Sequence, residues 1–312
     1  MSKKTFPITQ LQISNKLGRS IKSPIHVSNL KTMGIDTKLF LEKYAPLFSE
    51  LPWDPYDARR LRLEFFIDKF PDNKEEIQTL FADYYLGNIS LERFDQWIKK
   101  LSQEDKEAFN KIQPWRRRSV AQFALNKRQA RYFITRQTVP QFSQNLDKSD
   151  LRSLPRVFAE APDHHIENHL FSSFLIRIYK LVQKLHPDCK ATITVHFMSV
   201  KATEAAPGDN SPEGAHEDGA NYIVSALVIN RVNLTGGETQ ILEKLEDGSK
   251  EIIFKHTLQP GEFVFQADTG EEHIYGNDLW HHVTPFSIDD ASKGEGWRDI
   301  IGFDIALTDA DA

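Results

Sequence analysis

The sequence predicts an α+β protein, helical in its first half and built from short strands in its second. Up to Pro187 the apolar residues recur with the 3.6-residue period of amphipathic helices; beyond it they alternate with the period of two that half-buried strands require. The strand-like runs also lie close together, separated by turn residues rather than helices. That spacing points to a β-sandwich or barrel and away from a parallel doubly wound sheet.

The helical elements follow in order. Ile77, Leu80, Phe81 and Tyr84 stand at i, i+3, i+4 and i+7, with Gly87 as the stop. Phe94, Trp97, Ile98 and Leu101 repeat the spacing after Ser90, a suitable N-cap. A third short helix is expected after Ser102, with Asp105 placed in capping-box fashion. These aromatic stripes read as buried helix faces rather than as a ligand cavity. The longest stripe, Leu170, Phe171, Phe174, Leu175, Ile178, Leu181, Val182 and Leu185, ends before Pro187 and should pack on a sheet.

Strands are expected at 192–200, 222–231, 238–243, 251–257, 263–267 and 298–307, with Asp247-Gly248 as a hairpin turn. No internal repeat is present. The predicted organisation is a helical N-terminal region, 1–125, packed on a β core, 126–312.

Composition narrows the class. The chain has 312 residues, 40% apolar and 11% aromatic, enough for one large core or two modest ones. A net charge of −5 argues against a general nucleic-acid binder, which needs a basic face for phosphates. The single cysteine, Cys189, excludes a disulfide framework or a multi-thiolate zinc site and suits a reducing cytoplasm; the residue itself reads as structural. No run of 18 apolar residues predicts a membrane span, and MSKKTFPITQ lacks the apolar stretch of a signal peptide.

The chemistry is concentrated in three segments. In Glu213-Gly214-Ala215-His216-Glu217-Asp218-Gly219, an extended chain turns residues i and i+2 the same way, so His216 and Asp218 present an imidazole and a carboxylate to one point. The best source of a third ligand is Asp278-Leu279-Trp280-His281-His282-Val283-Thr284-Pro285. Two histidines and a carboxylate on one face of an octahedral ion leave three positions open, the arrangement of non-haem Fe(II) oxygenases. Trp297-Arg298-Asp299 opens a final apolar strand, and a guanidinium there suits the distal carboxylate of a buried dianion.

Together these blocks resemble a known family. Pro212-Glu213-Gly214-x-His216-x-Asp218-Gly219, Asn230-Arg231-x-Asn233-x-x-Gly236-Gly237-Glu238, His281-x-Val283-Thr284-Pro285 and Arg298-Asp299 are similar to the bacterial 2-oxoglutarate/Fe(II) dioxygenases that hydroxylate free amino acids, the L-isoleucine hydroxylases among them. The resemblance covers about residues 190 to 307. It implies a double-stranded β-helix (jelly-roll or cupin-like) core, with Fe(II) held by His216, Asp218 and His281. His281 is preferred to His282 on the His-x-Val-Thr-Pro register. It further implies 2-oxoglutarate gripped by Arg298 and O₂ as oxidant. The expected reaction hydroxylates an unactivated C–H bond while 2-oxoglutarate becomes succinate, with no side-chain general base. Glu217 stands where relatives often carry a basic residue, and the helical N-terminal region exceeds what the isoleucine enzymes need. Both bear on substrate rather than on chemistry.

The expected substrate is a free amino acid or similar small zwitterion, a cyclic imino acid or citrulline-like compound included. Glu217, Arg231, Tyr222 and Arg118 are its candidate contacts. On the strand at 192–200, Thr192, Thr194, His196 and Met198 share a polar-leaning face, and His196 is a candidate 2-oxoglutarate contact, weighed against a satisfied core histidine. The competing classes are a cupin-like binding module without catalysis, and an oxygenase acting on a protein side chain. Among weaker signals, Arg116–Arg118 reads as a salt-bridged basic turn, and Pro52-Trp53-Asp54-Pro55-Tyr56-Asp57 as a structured turn or a pocket wall. His164, His165 and His169 read as a solvated helix start rather than a second metal site, because no further acidic or thiolate partner stands out beyond Glu167, which would lie on a different face.

Overall fold

The computed structural model describes residues 25–139, 141, 151–269 and 279–308; the segment read for a signal peptide and Asp278 lie outside these. In chain order the elements are β1 (Ile25–Asn29), α1 (Thr37–Tyr44), a 3-10 helix (Ala45–Glu50), α2 (Tyr56–Lys69), α3 (Lys74–Gln78), α4 (Phe81–Leu86), α5 (Asp95–Ile98) and α6 (Gln103–Lys111). Next come β2 (Arg116–Arg128), β3 (Arg131–Gln137), α7 (Asp163–Ile166) and α8 (His169–Leu185). The remainder is β4 (Lys190–Thr203), β5 (Tyr222–Val232), β6 (Leu234–Gly236), β7 (Thr239–Lys244), β8 (Lys250–His256), β9 (Glu262–Ala267), β10 (Leu279–Val283), β11 (Phe286–Ile288) and β12 (Glu295–Thr308).

By proximity the chain forms two units that do not follow chain order. Residues 1–51, 118–139 and 159–312 make one; residues 52–117 and 140–158 make the other. The smaller unit holds α2 to α6 around an aromatic core, with Phe66 stacked on Phe94 at 5.0 Å and Phe109, Tyr84 and Trp97 packed about them. The apolar stripe from Ile77 to Tyr84 is divided between α3 and α4, and Gly87, at φ 84°, closes α4 in the left-handed conformation. Ser102 caps α6 by accepting the Asp105 N–H at 3.0 Å, whereas Ser90 precedes a 3-10 turn without capping it through its side chain. The block at Pro52 is a structured turn: Asp54 accepts the Tyr56 N–H at 3.0 Å, and Arg117 lies over the Trp53 ring at 4.6 Å.

The larger unit carries a seven-stranded antiparallel sheet, β1-β9-β5-β12-β4-β2-β3, and a three-stranded sheet, β10-β7-β8. On one face of the large sheet lies α8, N-capped by Asn168, whose side chain accepts the Phe171 N–H at 3.0 Å. Phe171, Phe174 and Ile178 of α8 pack there against Val195, Phe197, Ile301, Phe303 and Ile305. The opposite face supplies Ala226, Val228, Val264 and Ile300 to a second core, which meets Ile241, Ile253, Phe254 and Leu279 of the small sheet. Two facing antiparallel sheets with a helix outside form the expected jelly roll. Asp247-Gly248 turns the β7–β8 hairpin, with Gly248 at φ 84°.

Six predicted strands fall on β4, β5, β7, β8, β9 and β12. Residues 1–125 are not helical throughout, because β1 and most of β2 lie within them. Strand β2 escaped notice since Arg, Asn and Lys interrupt its alternation, although its arginines at 116 and 118 are buried. Cys189 is half-buried, and burial pushes its thiol up to about 11, which suits a packing role.

Candidate metal centre

The segment before β5 reaches across to β10, where His216 and His281 exchange backbone hydrogen bonds, N–H to carbonyl, at 3.0 Å each way. This bridge sets the two imidazoles side by side, ring centroids 4.3 Å apart. Asp218 stands between them: Oδ1 lies 3.5 Å from His216 Nε2, and Oδ2 lies 3.3 Å from His281 Nε2. The three ligand atoms lie within 4.8 Å of one another. Alternation along β10 turns His282 to the opposite side from His281. The Nδ1 of His216 faces the Gly214 carbonyl at 2.8 Å, which leaves Nε2 directed at the carboxylate.

The electrostatics of this cluster favour a cation. Burial opposes charge on His216, yet Asp218, Glu213 and the Gly214 carbonyl outweigh it and carry its pKa up to about 9. Burial likewise works against the Asp218 carboxylate, and the two imidazoles overcome it, holding Asp218 well below the usual carboxylate range. The inner face of β12 presents Arg298, fully buried, whose Nη1 donates to Asn210 Oδ1 at 2.8 Å. Its Nε and Nη2 have no hydrogen-bond partner among the described residues. Burial, then the neighbouring Arg231, lowers its pKa to about 9, with Asp299 opposing.

Residues 100–304 match the family model of the 2OG-Fe dioxygenases, about two thirds of the chain. The chain belongs to that family. Enzymes of that family work with Fe(II), 2-oxoglutarate and O₂. The dioxygenase is 24% identical over 155 residues to the 3(1)-hydroxy-L-isoleucine 4-dioxygenase of Pantoea ananatis, covering 49% of this chain and 58% of that one. The matched stretch therefore spans less than two thirds of the relative. Its fold is similar to the crystal structure of a bsmA homologue from Methylobium petroleophilum PM1, with a TM-score of 0.59 and 17% identity over 90% of this chain and 88% of that one. IDO from Bacillus thuringiensis gives a TM-score of 0.48 at 20% identity, over 71% and 93% of the two chains. With the family match, the jelly roll is the double-stranded β-helix of the 2OG-Fe dioxygenases.

The remaining expected residues of the dioxygenase are distributed over both faces of the large sheet. His196 lies on the inner face of β4, its Nδ1 2.8 Å from Arg118 Nη2 and its Nε2 2.8 Å from Asp304 Oδ2. Gln122 donates to Thr194 on the same face at 3.0 Å. Asp304 pairs with Ile223, one residue into the strand that the His216 loop enters, so this polar group stands at the loop's end of the sheet. Arg231 pairs with Arg298 near the opposite end of β5, where its Nη2 donates to the Gly236 carbonyl at 2.6 Å. Burial, then the charge on Asp268, pushes the Glu217 carboxyl up to about 7. Tyr222 is a correction. It faces the α8 core, stacks on Phe265 at 5.3 Å and has its hydroxyl 2.7 Å from His186, so alternation turns it away from the inner face.

Sequence reasoning missed Asp268. Its fully buried carboxylate accepts the backbone N–H groups of Asp218, Gly219 and Ala220 at 2.8 to 3.1 Å, and the Thr269 hydroxyl at 3.1 Å. Burial and the charge on Asp218 push its pKa up to about 6. The only sequence signal was an acid just past the end of the predicted strand at 263–267. Glu213 Oε1, 3.2 Å from His216 Nε2, also stands beside the cluster.

Proposed function

We propose that this dioxygenase hydroxylates an unactivated C–H bond of a free amino acid or similar small zwitterion, with Fe(II) held by His216, Asp218 and His281. The convergence of those three side chains carries the reading. Ligand atoms on a single first-row ion stand about 3 Å apart when they meet at right angles, and the two measured N···O separations are 3.5 and 3.3 Å. Arg298 fits the distal carboxylate of 2-oxoglutarate, since a buried guanidinium with unpaired Nε and Nη2 offers a two-pronged donor to a carboxylate. When bound, the iron and 2-oxoglutarate supply O₂ activation, with succinate and CO₂ leaving.

The chain's own residues then bind and aim. Arg298 fixes one end of the co-substrate, and the apolar inner face around Val228, Ile241 and Ile300 keeps water from its stem. Arg118, His196 and Asp304 bring both signs of charge to the loop end of the inner face, and this suits the carboxylate and ammonium of a zwitterion. The Pantoea ananatis relative, a dioxygenase of a hydroxylated isoleucine by its name, supports that substrate class. Neither His196 nor Asp304 is needed as a proton acceptor. A reducing cytoplasm fits both ferrous iron and the single cysteine.

The test is anaerobic loading of the protein with Fe(II) and 2-oxoglutarate, followed by a visible metal-to-ligand charge-transfer band and then an amino-acid panel scored by succinate release. The band should vanish in His281→Ala and survive in His282→Ala. Arg298→Ala should raise the KM for 2-oxoglutarate about 10- to 100-fold, the loss of charge-assisted hydrogen bonds worth about 1.5–3 kcal/mol. A band that survives His281→Ala sinks the ligand assignment. Turnover with a peptide and none with any free amino acid sinks the substrate class.

A further inference from the structure

A second cluster lies over the other face of the large sheet. Glu50, at the end of the 3-10 helix Ala45–Glu50, directs Oε2 at the Nε2 atoms of His164 and His165 in α7, at 2.8 and 3.5 Å. One ligand atom from each residue falls within 4.8 Å of the other two, as in the oxygenase cluster. The two are separate: His165 packs edge-on against Phe197 at 5.8 Å, and Phe197 points into the α8 core while its neighbour His196 points inward.

We propose that Glu50, His164 and His165 form a second site for a divalent first-row transition ion of the zinc type. Two observations carry this. The first is the donor set with its spacing: ligand atoms around a tetrahedral zinc stand about 3.3 Å apart at bond lengths near 2.0–2.1 Å. Imidazole nitrogens with a single carboxylate select such ions over magnesium or calcium, which take oxygen ligands throughout. The second is His165. Its side chain is 1% exposed, yet among the described residues neither ring nitrogen makes a hydrogen bond, the Glu50 oxygen standing 3.5 Å from Nε2. A buried imidazole left so costs about 1–3 kcal/mol for each unsatisfied group, and a metal on Nε2 removes part of that cost. An ordinary ion pair between Glu50 and His164, both more than half exposed, does not account for a third, buried donor aimed at the same oxygen.

The scaffold around the cluster is braced. The Tyr44 hydroxyl donates to the His165 carbonyl at 2.9 Å, and Asn168 Nδ2 donates to that hydroxyl at 2.7 Å. Arg136 pairs with Asp163 and donates to the Ala161 carbonyl at 3.0 Å. Exposed His164 and Glu50 are free to close on an ion, and solvent completes the coordination from outside. An ion here clamps the 3-10 helix to α7 without entering the inner face.

The experiment is a metal titration of the tag-free, metal-stripped chain with Co(II), and separately with Zn(II), under anaerobic conditions with 2-oxoglutarate present. The parent should bind two equivalents. His164→Ala and Glu50→Gln should each bind one and keep a parent-like circular dichroism spectrum. Asp218→Ala should retain one, with the intense visible bands of four-coordinate Co(II). Zn(II) should raise the melting temperature of Asp218→Ala, and the rise should disappear when His164→Ala is added. A parent that binds a single equivalent, lost in Asp218→Ala, overturns the second site; so does a second equivalent that survives His164→Ala. Should the surface variants misfold, the double variant of His216→Ala with His281→Ala decides: with the oxygenase cluster stripped of both imidazoles, it binds one equivalent if the second site exists and none if it does not.

Discussion

At the scale of single residues, the most consequential group outside the oxygenase cluster is Asp268. Its carboxylate collects three consecutive backbone N–H groups, from Asp218 to Ala220, and so fixes the turn that carries Asp218. Asp268→Asn keeps the size but leaves one acceptor oxygen and turns an amide donor toward those N–H groups. Partners that orient metal ligands typically contribute 10–100-fold in metal affinity, so Fe(II) affinity should fall by about that factor, measured by anaerobic titration of the folded variant. Unchanged affinity removes Asp268 from the support of the site. His216 and Asp218 were legible in the sequence because the i, i+2 relation is local, and the His-x-Val-Thr-Pro register separated His281 from His282. Asp268 meets its partners across about 50 residues, and Glu50 meets His164 across 114, distances over which no periodicity reports.

At the scale of elements, β12 both closes the large sheet and delivers Arg298. Its start is threaded under the β5–β6 corner. Asn233, at φ 53°, donates through Nδ2 to the carbonyls of Asp290 and Glu295, each at 3.0 Å. Gly296 passes so close that an added Cβ would stand 2.4 Å from the Asn233 carbonyl oxygen and 2.5 Å from Leu234 Cδ2. Backbone cannot yield there cheaply, so Gly296→Ala should destabilise the protein by about 1–3 kcal/mol and raise the KM for 2-oxoglutarate by displacing Arg298 two residues on. A melting temperature and KM equal to the parent's would show that the corner relaxes freely. The long elements were legible, since α8 keeps one helical period throughout and the six core strands are apolar runs bounded by turn residues, even where bulges shift the register of β5, β7 and β12. Strand β10 hid within a segment read for its histidines, and β6 and β11, three residues each, are too short to show a period.

At the scale of the whole molecule, periodicity does not reveal which distant segments meet, so the grouping of 1–51 with 118–139 and 159–312 had no signature in the linear sequence. The charge layout of the larger unit was legible only in part. Acidic groups gather at the His216 end of the fold, and Arg298 and Arg231 face each other toward the far end of β5. On the proposed assignment, a cation and a dianionic co-substrate would each relieve one of these accumulations, and both would bind the folded state alone. Linkage then fixes the expected effect. At 100 times its Kd a ligand stabilises the native state by about 2.7 kcal/mol, which for a unit of this size corresponds to a rise of roughly 5–11 °C in melting temperature. Fe(II) with 2-oxoglutarate, added without O₂, should produce such a rise in the parent and in His282→Ala. Asp218→Ala should lose the iron-dependent part, and Arg298→Ala the part that depends on 2-oxoglutarate. An iron-dependent rise that persists undiminished in Asp218→Ala would place the ion elsewhere, and the double variant with His164→Ala then tells whether Glu50, His164 and His165 hold it.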